Sequence, residues 1–169
     1  MGLKSAMAIS ASAQLTNAQD LGSASASTPF TRSVNLSSGT TAGKADRSFS
    51  DRRVLAASAT EDLDLSGALL DALGGSAAFV RIKGLIISAS SGNTNNVVVG
   101  AAGSNAWAAL LNAAGTLTLK PGATVAFMAG VGDAVGWPVT AGTGDLLKIA
   151  NSGSGTGVTY DIVVIGASA

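Results

Sequence analysis

The feature that most restricts the fold is a series of short apolar segments that recurs about every ten residues after residue 65. These segments read "AFVRIKGLIISAS", "NNVVVG", "GTLTLKPG", "ATVAFMAG", "GDLLKIAN" and "VTYDIVVIG". Each is partly β-branched and is bounded by Gly, Asn, Pro or Ser, as β-strands commonly are. Such spacing is typical of all-β sandwiches and barrels. We therefore predict an all-β fold, a β-sandwich or jelly roll.

Two connections between these segments contain specific turn residues. In "LKPG", Pro121 takes the second position of a tight turn and Gly122 follows it, as a type II turn prefers. The longer "NSGSGTG" predicts a soft surface loop that joins two antiparallel strands. The last of these strands, over residues 158–165, contains the apolar run "IVVI". Burial on both faces is expected for such a run, so we place this strand centrally in a sheet.

At most one short helix is expected. In "SGALLDALGG", Ser66 is a suitable N-cap, Gly74 a suitable end, and Leu69, Leu70 and Leu73 share one helical face. The segment "SNAWAALLNAAG" fits either a short helix or an irregular strand, and we favour the strand.

The first 43 residues have a different composition, rich in Ser, Thr and Ala with few large apolar residues. They predict either a flexible arm or a pair of edge strands, for example over residues 32–37. Such a stretch cannot bury enough apolar area to become ordered alone, so a neighbouring subunit or surface is expected to order it. The predicted organisation is an extended N-terminal arm or edge strands over residues 1–43 and a β-sandwich domain over residues 44–169.

Residues 44–64 hold nine of the twenty charged residues, with both signs mixed. One interpretation is a solvated strand and turn. The other is a contact surface on which Arg52 and Arg53 meet carboxylates of a partner. The candidate contact residues for the capsid or for another subunit are Asp46, Arg47, Asp51, Arg52 and Arg53.

Little in the sequence predicts catalysis. The chain has no His and no Cys, which removes the usual general base and the usual zinc ligands. Glu61, Asp62 and Asp64 lie close enough in sequence for a calcium site or a carboxylate pair. Because Leu63 and Leu65 alternate with the aspartates, a half-buried strand explains the same pattern better. We predict a protein that is not an enzyme and that binds no cofactor and no metal.

Charge and hydropathy argue against nucleic acid and membranes as partners. The formal net charge is zero, whereas nucleic-acid binders commonly carry a basic stripe. No run of 18 apolar residues is present, and the N-terminal segment lacks the long apolar centre of a signal peptide, so neither a membrane span nor secretion is expected. Trp107, Trp137 and Tyr160 are open to two interpretations, a sugar-stacking platform or, more commonly, core and subunit contacts.

Four segments together carry a family resemblance: "GKADRSFSDRRVLAASATEDLDLSG", "NTNNVVVGAAGSNAW", "LKPGATVAF" and "VTAGTGDLLKIANSGSGTGVTYDIVVIGAS". Over about residues 40–169 the chain resembles a family of small tailed-phage virion proteins, commonly encoded near the major capsid protein. The resemblance implies a β-sandwich or jelly-roll subunit on the capsid exterior, most commonly a decoration (cement) protein that forms a homotrimer where capsomers meet.

The expected function is therefore to bind the outer capsid shell, through the major capsid protein, and to stabilise it against the pressure of packaged DNA. Two alternatives stay open. The first is another virion station, such as a head fibre base, tail tube or baseplate. The second is a carbohydrate-binding β-sandwich for host attachment, which requires Trp107 and Trp137 to be exposed and coplanar.

Overall fold

The protein was analysed as a computed structural model that describes residues 2–67 and 69–169. Within these residues the chain forms twelve β-strands and no helix, which confirms the predicted all-β fold. In chain order the strands are β1 (Ser5–Gln19), β2 (Gly22–Ser38), β3 (Lys44–Ala45), β4 (Arg47–Leu55), β5 (Thr60–Asp64), β6 (Arg81–Ala89), β7 (Val97–Gly100), β8 (Thr116–Leu119), β9 (Thr124–Met128), β10 (Trp137–Pro138), β11 (Leu146–Asn151) and β12 (Val158–Ala167).

Two antiparallel sheets form the body of the molecule. One has the order β10-β6-β12-β4, with β9 also pairing with β6, and the other has the order β5-β11-β7-β8. Their inward side chains share one apolar core, to which β12 contributes Ile162 and Val164 and the opposite sheet contributes Val97 and Ile149. The arrangement is consistent with a β-sandwich, and jelly-roll connectivity is not confirmed.

Strand β12 is central, as predicted, because it pairs with β4 on one side and β6 on the other. Its two faces meet different clusters: Val164 faces the main core, and Ile165 packs in a second cluster outside the sandwich. The register with β6 shifts between Ile165 and Gly166. A side chain at Gly166 would overlap the carbonyl oxygen of Arg81, so this bulge requires glycine.

Of the two connections singled out in the sequence, one has the predicted structure and the other does not. Gly122 has a φ of 79° and the amide of Ala123 donates to the carbonyl of Lys120 at 2.8 Å, which confirms the predicted turn. The prediction that "NSGSGTG" joins a hairpin is wrong, since β11 and β12 lie in different sheets. Strand periodicity does not specify the pairing partner, and both edges of β12 are already taken by β4 and β6.

The short helix expected after Ser66 is not formed in the described part of this segment. The Asp71 carboxylate accepts bonds from the amides of Leu73 and Gly75, and such local bonds compete with helical ones. An isolated bridge joins Leu70 to Ser76. The predicted common face is also absent, because one of the three leucines is buried while Leu70 and Leu73 are exposed. The ambiguous "SNAWAALLNAAG" consists of bends and turns with one isolated bridge, and is neither helix nor regular strand.

The N-terminal residues form a long two-stranded ribbon. Strands β1 and β2 pair in unbroken antiparallel register from Ser5–Leu36 to Gln19–Gly22. The base of the ribbon packs on the outer face of the first sheet, in a cluster of Met7, Val34, Leu36, Ala45 and Ile165. Residues 10–33 are all exposed. At about 3.3 Å per residue, the ribbon extends roughly 30 Å beyond this base.

Candidate interaction surface

The two faces of the ribbon differ in chemistry. Directly paired residues of an antiparallel hairpin point to the same face, and alternate pairs point to opposite faces. The β1–β2 register therefore gathers apolar and small residues on one face: Ile9, Ala11, Ala13, Leu15, Ala24, Ala26, Thr28 and Phe30. The opposite face is mostly hydroxyl and amide groups, including Ser10, Ser12, Gln14, Thr16, Ser23, Ser25, Ser27 and Thr31. We call these the apolar face and the polar face.

The apolar face continues a buried surface. At the base of this face, Leu36 of the first row and Met7 and Val34 of the second are 6%, 7% and 8% exposed against the sandwich. Farther out on the same face, Leu15 is 77% exposed and Phe30 is 47% exposed. The Arg32 guanidinium lies 4.8 Å from the centre of the Phe30 ring. One face of one element is therefore covered at its base and uncovered beyond it.

Four of the five candidate contact residues lie on β4, and Asp46 precedes it. This strand is an edge of its sheet. Asp46 is engaged within the chain, since its carboxylate accepts bonds from the amide and hydroxyl of Ser168 at 2.8 and 2.6 Å. The Arg47 guanidinium lies 3.5 Å from the same carboxylate. These two residues fasten the start of β4 to the end of β12.

The alternation of β4 separates the remaining three residues. Phe49 and Leu55 point into the core, so Asp51 and Arg53 share their side of the sheet, whereas Arg52 lies on the outer face. Arg52 binds Asp161 through two hydrogen bonds of 2.7 and 2.9 Å. This pairing raises the pKa of Arg52 and lowers that of the Asp161 carboxyl.

On the inner side of the strand, the Arg53 Nε lies 3.5 Å from Glu61 and 3.6 Å from Asp51. Glu61 also accepts the hydroxyl hydrogen bond of the buried Tyr160 at 2.7 Å, and burial together with this carboxylate raises the pKa of Tyr160. The carboxylates that these arginines meet thus belong to the same chain. Their use as contacts with another protein stays a prediction.

The acidic residues of β5 are dispersed. Leu63 is buried at 2% exposure and Asp62 is exposed, as expected for a half-buried strand. Glu61 faces Tyr160, while Asp64 bonds to Ser66. Over residues 2–67 and 69–169, no group of three or more potential metal ligands is found. No helix in the same residues is long and apolar enough to cross a membrane.

The tryptophans support the core rather than an exposed platform. Trp107 is 6% exposed, and its indole nitrogen donates to the Pro138 carbonyl at 2.8 Å. Trp137 is half-buried and meets Phe127 edge to face, with ring centres 6.3 Å apart. The exposed coplanar pair required for sugar stacking is therefore not formed. An apolar cavity beside Trp107 measures about 10 Å³, room for one water at most.

No known protein family matches this chain, and comparisons with curated proteins and with solved structures find no match. The molecule is thus defined by its own geometry, a β-sandwich with a projecting amphipathic ribbon. Sequence reasoning missed the ribbon's apolar face. The signal was the period-two series Met7, Ile9, Ala11, Ala13 and Leu15, which is weak because two of its members are alanines.

Proposed function

We propose that this chain is a capsid decoration protein, which binds the outer shell of a tailed phage as an oligomer and stabilises it. The observation that carries the assembly role is the ribbon, which projects from the sandwich with an uncovered apolar face. Exposed apolar surfaces of this kind commonly mark protein contacts. The resemblance to small virion proteins supplies the capsid as the partner and the trimer as the expected oligomer.

The proposed mechanism is binding and requires no covalent chemistry. A protein that binds the assembled lattice, and not its separated subunits, makes disassembly less favourable by mass action. Linking several copies multiplies weak contacts into avid binding. On this proposal the sandwich contacts the shell through the outer face of β4, where Arg52 lies beside Val54, which is 71% exposed. The ribbon would then join neighbouring copies.

The test is co-sedimentation of the purified chain with isolated expanded heads and, separately, with isolated tails of the phage that encodes it. We expect saturable binding to heads at tens to hundreds of copies per particle, as repeated lattice sites require. Binding only to tails, or at a few copies per head, would move the chain to another virion station and contradict the proposal.

Two matched variants locate the shell contact. Val54→Asp changes an exposed valine on β4, and Val135→Asp changes one that is 58% exposed on a loop. We expect Val54→Asp alone to weaken binding to heads. Equal binding by both variants would exclude the β4 surface, while leaving decoration through another surface measurable in the same assay.

A further inference from the structure

We propose that the apolar face of the ribbon packs against the same face of a second copy of this chain. In this contact the two ribbons run antiparallel, and a two-fold axis crosses the row formed by Ala13 and Thr28. The inference goes beyond the decoration function and does not rest on it, because the contact forms between free copies. The partner is identified by the pattern of large and small residues along the face.

The apolar face matches a second copy of itself in shape. A two-fold axis through the Ala13–Thr28 row and across the strands places each row over the row equally far on the other side of it. Leu15 of one copy then lies over Ala11 of the other, and Phe30 lies over Ala26. These two large side chains at the centre of the contact therefore each meet a small one, which is how packed layers interdigitate. The face is complementary to itself.

The uncovered length of the ribbon also fits a second copy. The sandwich covers the apolar face at the Met7–Val34 row, and the ribbon ends with the Gln19–Gly22 pair. The Ala13–Thr28 row lies midway between these two limits. The centre of the large-and-small pattern and the centre of the uncovered length thus coincide. A second ribbon can lie along the face until its tip reaches the sandwich.

The same geometry excludes the parallel arrangement. With the tips side by side, the base of each ribbon would occupy the space where the other copy's sandwich already covers the Met7–Val34 row. Charge does not oppose the antiparallel contact, since Arg32 is the only charged side chain on the face. In that contact Arg32 lies over Ala24 and Ile9 lies over Asn17. Polar groups therefore lie at both ends of the apolar centre.

The contact is modest in size. Five rows of two residues, from Ile9–Arg32 to Asn17–Ala24, face the partner in each copy. A standard interface uses about 20 to 30 residues on each side, so we expect a reversible association that depends on concentration. An isolated ribbon of two strands is only marginally stable. In the proposed contact, the two strands of the second ribbon would pack against it and stabilise it.

The first experiment is sedimentation equilibrium of the full chain over a range of concentrations. We compare Leu15→Asp, on the apolar face, with Gln14→Asp, its neighbour on the polar face. Each interface contains two copies of Leu15, and burial of each leucine contributes more than about tenfold, so Leu15→Asp should raise the dissociation constant roughly 100-fold or more. Gln14→Asp should change it by no more than about threefold.

The second experiment tests the register. Ala11→Leu places leucine over leucine, and Leu15→Ala leaves alanine over alanine, so each single variant should weaken pairing. The double variant Ala11→Leu/Leu15→Ala restores leucine over alanine and should return most of the affinity. Residues 11 and 15 are two rows apart within one ribbon, so this recovery requires contact between copies.

The proposal would be overturned by a single-chain mass for the unaltered protein at all concentrations, by equal effects of Leu15→Asp and Gln14→Asp, or by a double variant as weak as the weaker single. A three-chain mass that Leu15→Asp does not alter would also overturn it. Circular dichroism of each variant separates loss of pairing from loss of folding. Co-sedimentation with heads is read separately, so failure of ribbon pairing and failure of capsid binding are distinguishable.

Discussion

Replacement of Asn151 should destabilise the sandwich strongly, although it lies beside a glycine-rich loop. The side chain is 5% exposed at the end of β11. Its amide nitrogen donates to the carbonyls of Ala56 and Thr156 at 2.9 and 2.8 Å. Its oxygen accepts from the Asn95 side chain at 3.0 Å and from the Gly153 amide at 3.2 Å. One side chain thus ties three segments together where the chain crosses between sheets.

The magnitude follows from these four bonds. Each contributes about 1 kcal/mol net, which sets an upper range of roughly 4 kcal/mol for Asn151→Ala. Two of the partners keep other donors, because the Ala56 carbonyl also accepts from the Ala59 amide and the Thr156 carbonyl from Asn95. We therefore expect a loss of about 3 kcal/mol. For a chain of this length that corresponds to a fall in Tm of about 6 to 12 °C.

The assay is urea unfolding followed by circular dichroism, with Ser154→Ala as the control in the same loop. Ser154 is exposed, so its replacement should change the free energy of unfolding by less than about 0.5 kcal/mol. Equal stabilities for Asn151→Ala and the control would refute the reasoning, since the loop would then be as soft as its composition suggests.

A second variant, Asn151→Asp, tests the donors alone. The introduced carboxylate keeps the acceptor but faces two carbonyl oxygens, so its pKa in the folded state should rise above the ordinary value of about 3.9. A raised folded pKa stabilises below the unfolded pKa, and this contribution is lost as the pH rises through the folded pKa. Asn151→Asp should therefore be least destabilised in acid. A pH-independent difference from the unaltered protein would contradict this.

Three further predictions concern the sandwich. Gly166→Ala should cost about 2 kcal/mol or more in urea unfolding, since the added carbon overlaps the Arg81 carbonyl, and a neutral result would show that the bulge can relax. Burial lowers the pKa of Lys83 in the folded chain below its ordinary value of 10.5. At pH values between the folded and the unfolded pKa, the unfolded chain binds more protons than the folded chain, so the free energy of unfolding rises with pH. Lys83→Met should lack this rise, and parallel pH profiles for the variant and the unaltered protein would contradict the prediction. Trp107→Phe removes the hydrogen bond to Pro138 and should cost about 1 to 3 kcal/mol, whereas an unchanged urea midpoint would mean that water replaces the indole.

The fold class was predictable because its signals are local. Short β-branched runs, the "LKPG" turn and the doubly apolar "IVVI" depend on neighbouring residues, and the structure has strands, a turn and a central strand at these places. Pairing was not predictable in the same way. The hairpin expected across "NSGSGTG" and the helix expected after Ser66 both fail because distant partners, or a single Asp71 side chain, decide between locally similar conformations.

The charged segment, residues 44–64, shows a different limit of what the sequence can predict. Its charged residues lie at exposed or half-buried positions, which fits one of the two interpretations offered for them. The sequence could not show that Arg52 meets Asp161 of the same chain, 109 positions away. The arginines of this edge pair with carboxylates even without another protein. Charges along an unpaired edge discourage other strands from adding to it. The shell contact proposed for β4 must compete with these existing pairs, which is why Val54 rather than Arg52 is the sharper probe.

The ribbon connects local pattern to function most directly. Along its apolar face the same period-two pattern runs from Met7 to Leu15, yet the sandwich covers only the rows at the base, those of Leu36 and of Met7 with Val34, and leaves the outer rows uncovered. Folding of one chain accounts for Met7 and Val34, because they bury apolar area on Ile165. It does not account for Leu15 and Phe30, which stay 77% and 47% exposed in the isolated chain. An apolar pattern that continues beyond the part covered by the sandwich indicates contact with a second surface, and the same face of another copy has the complementary arrangement of large and small residues.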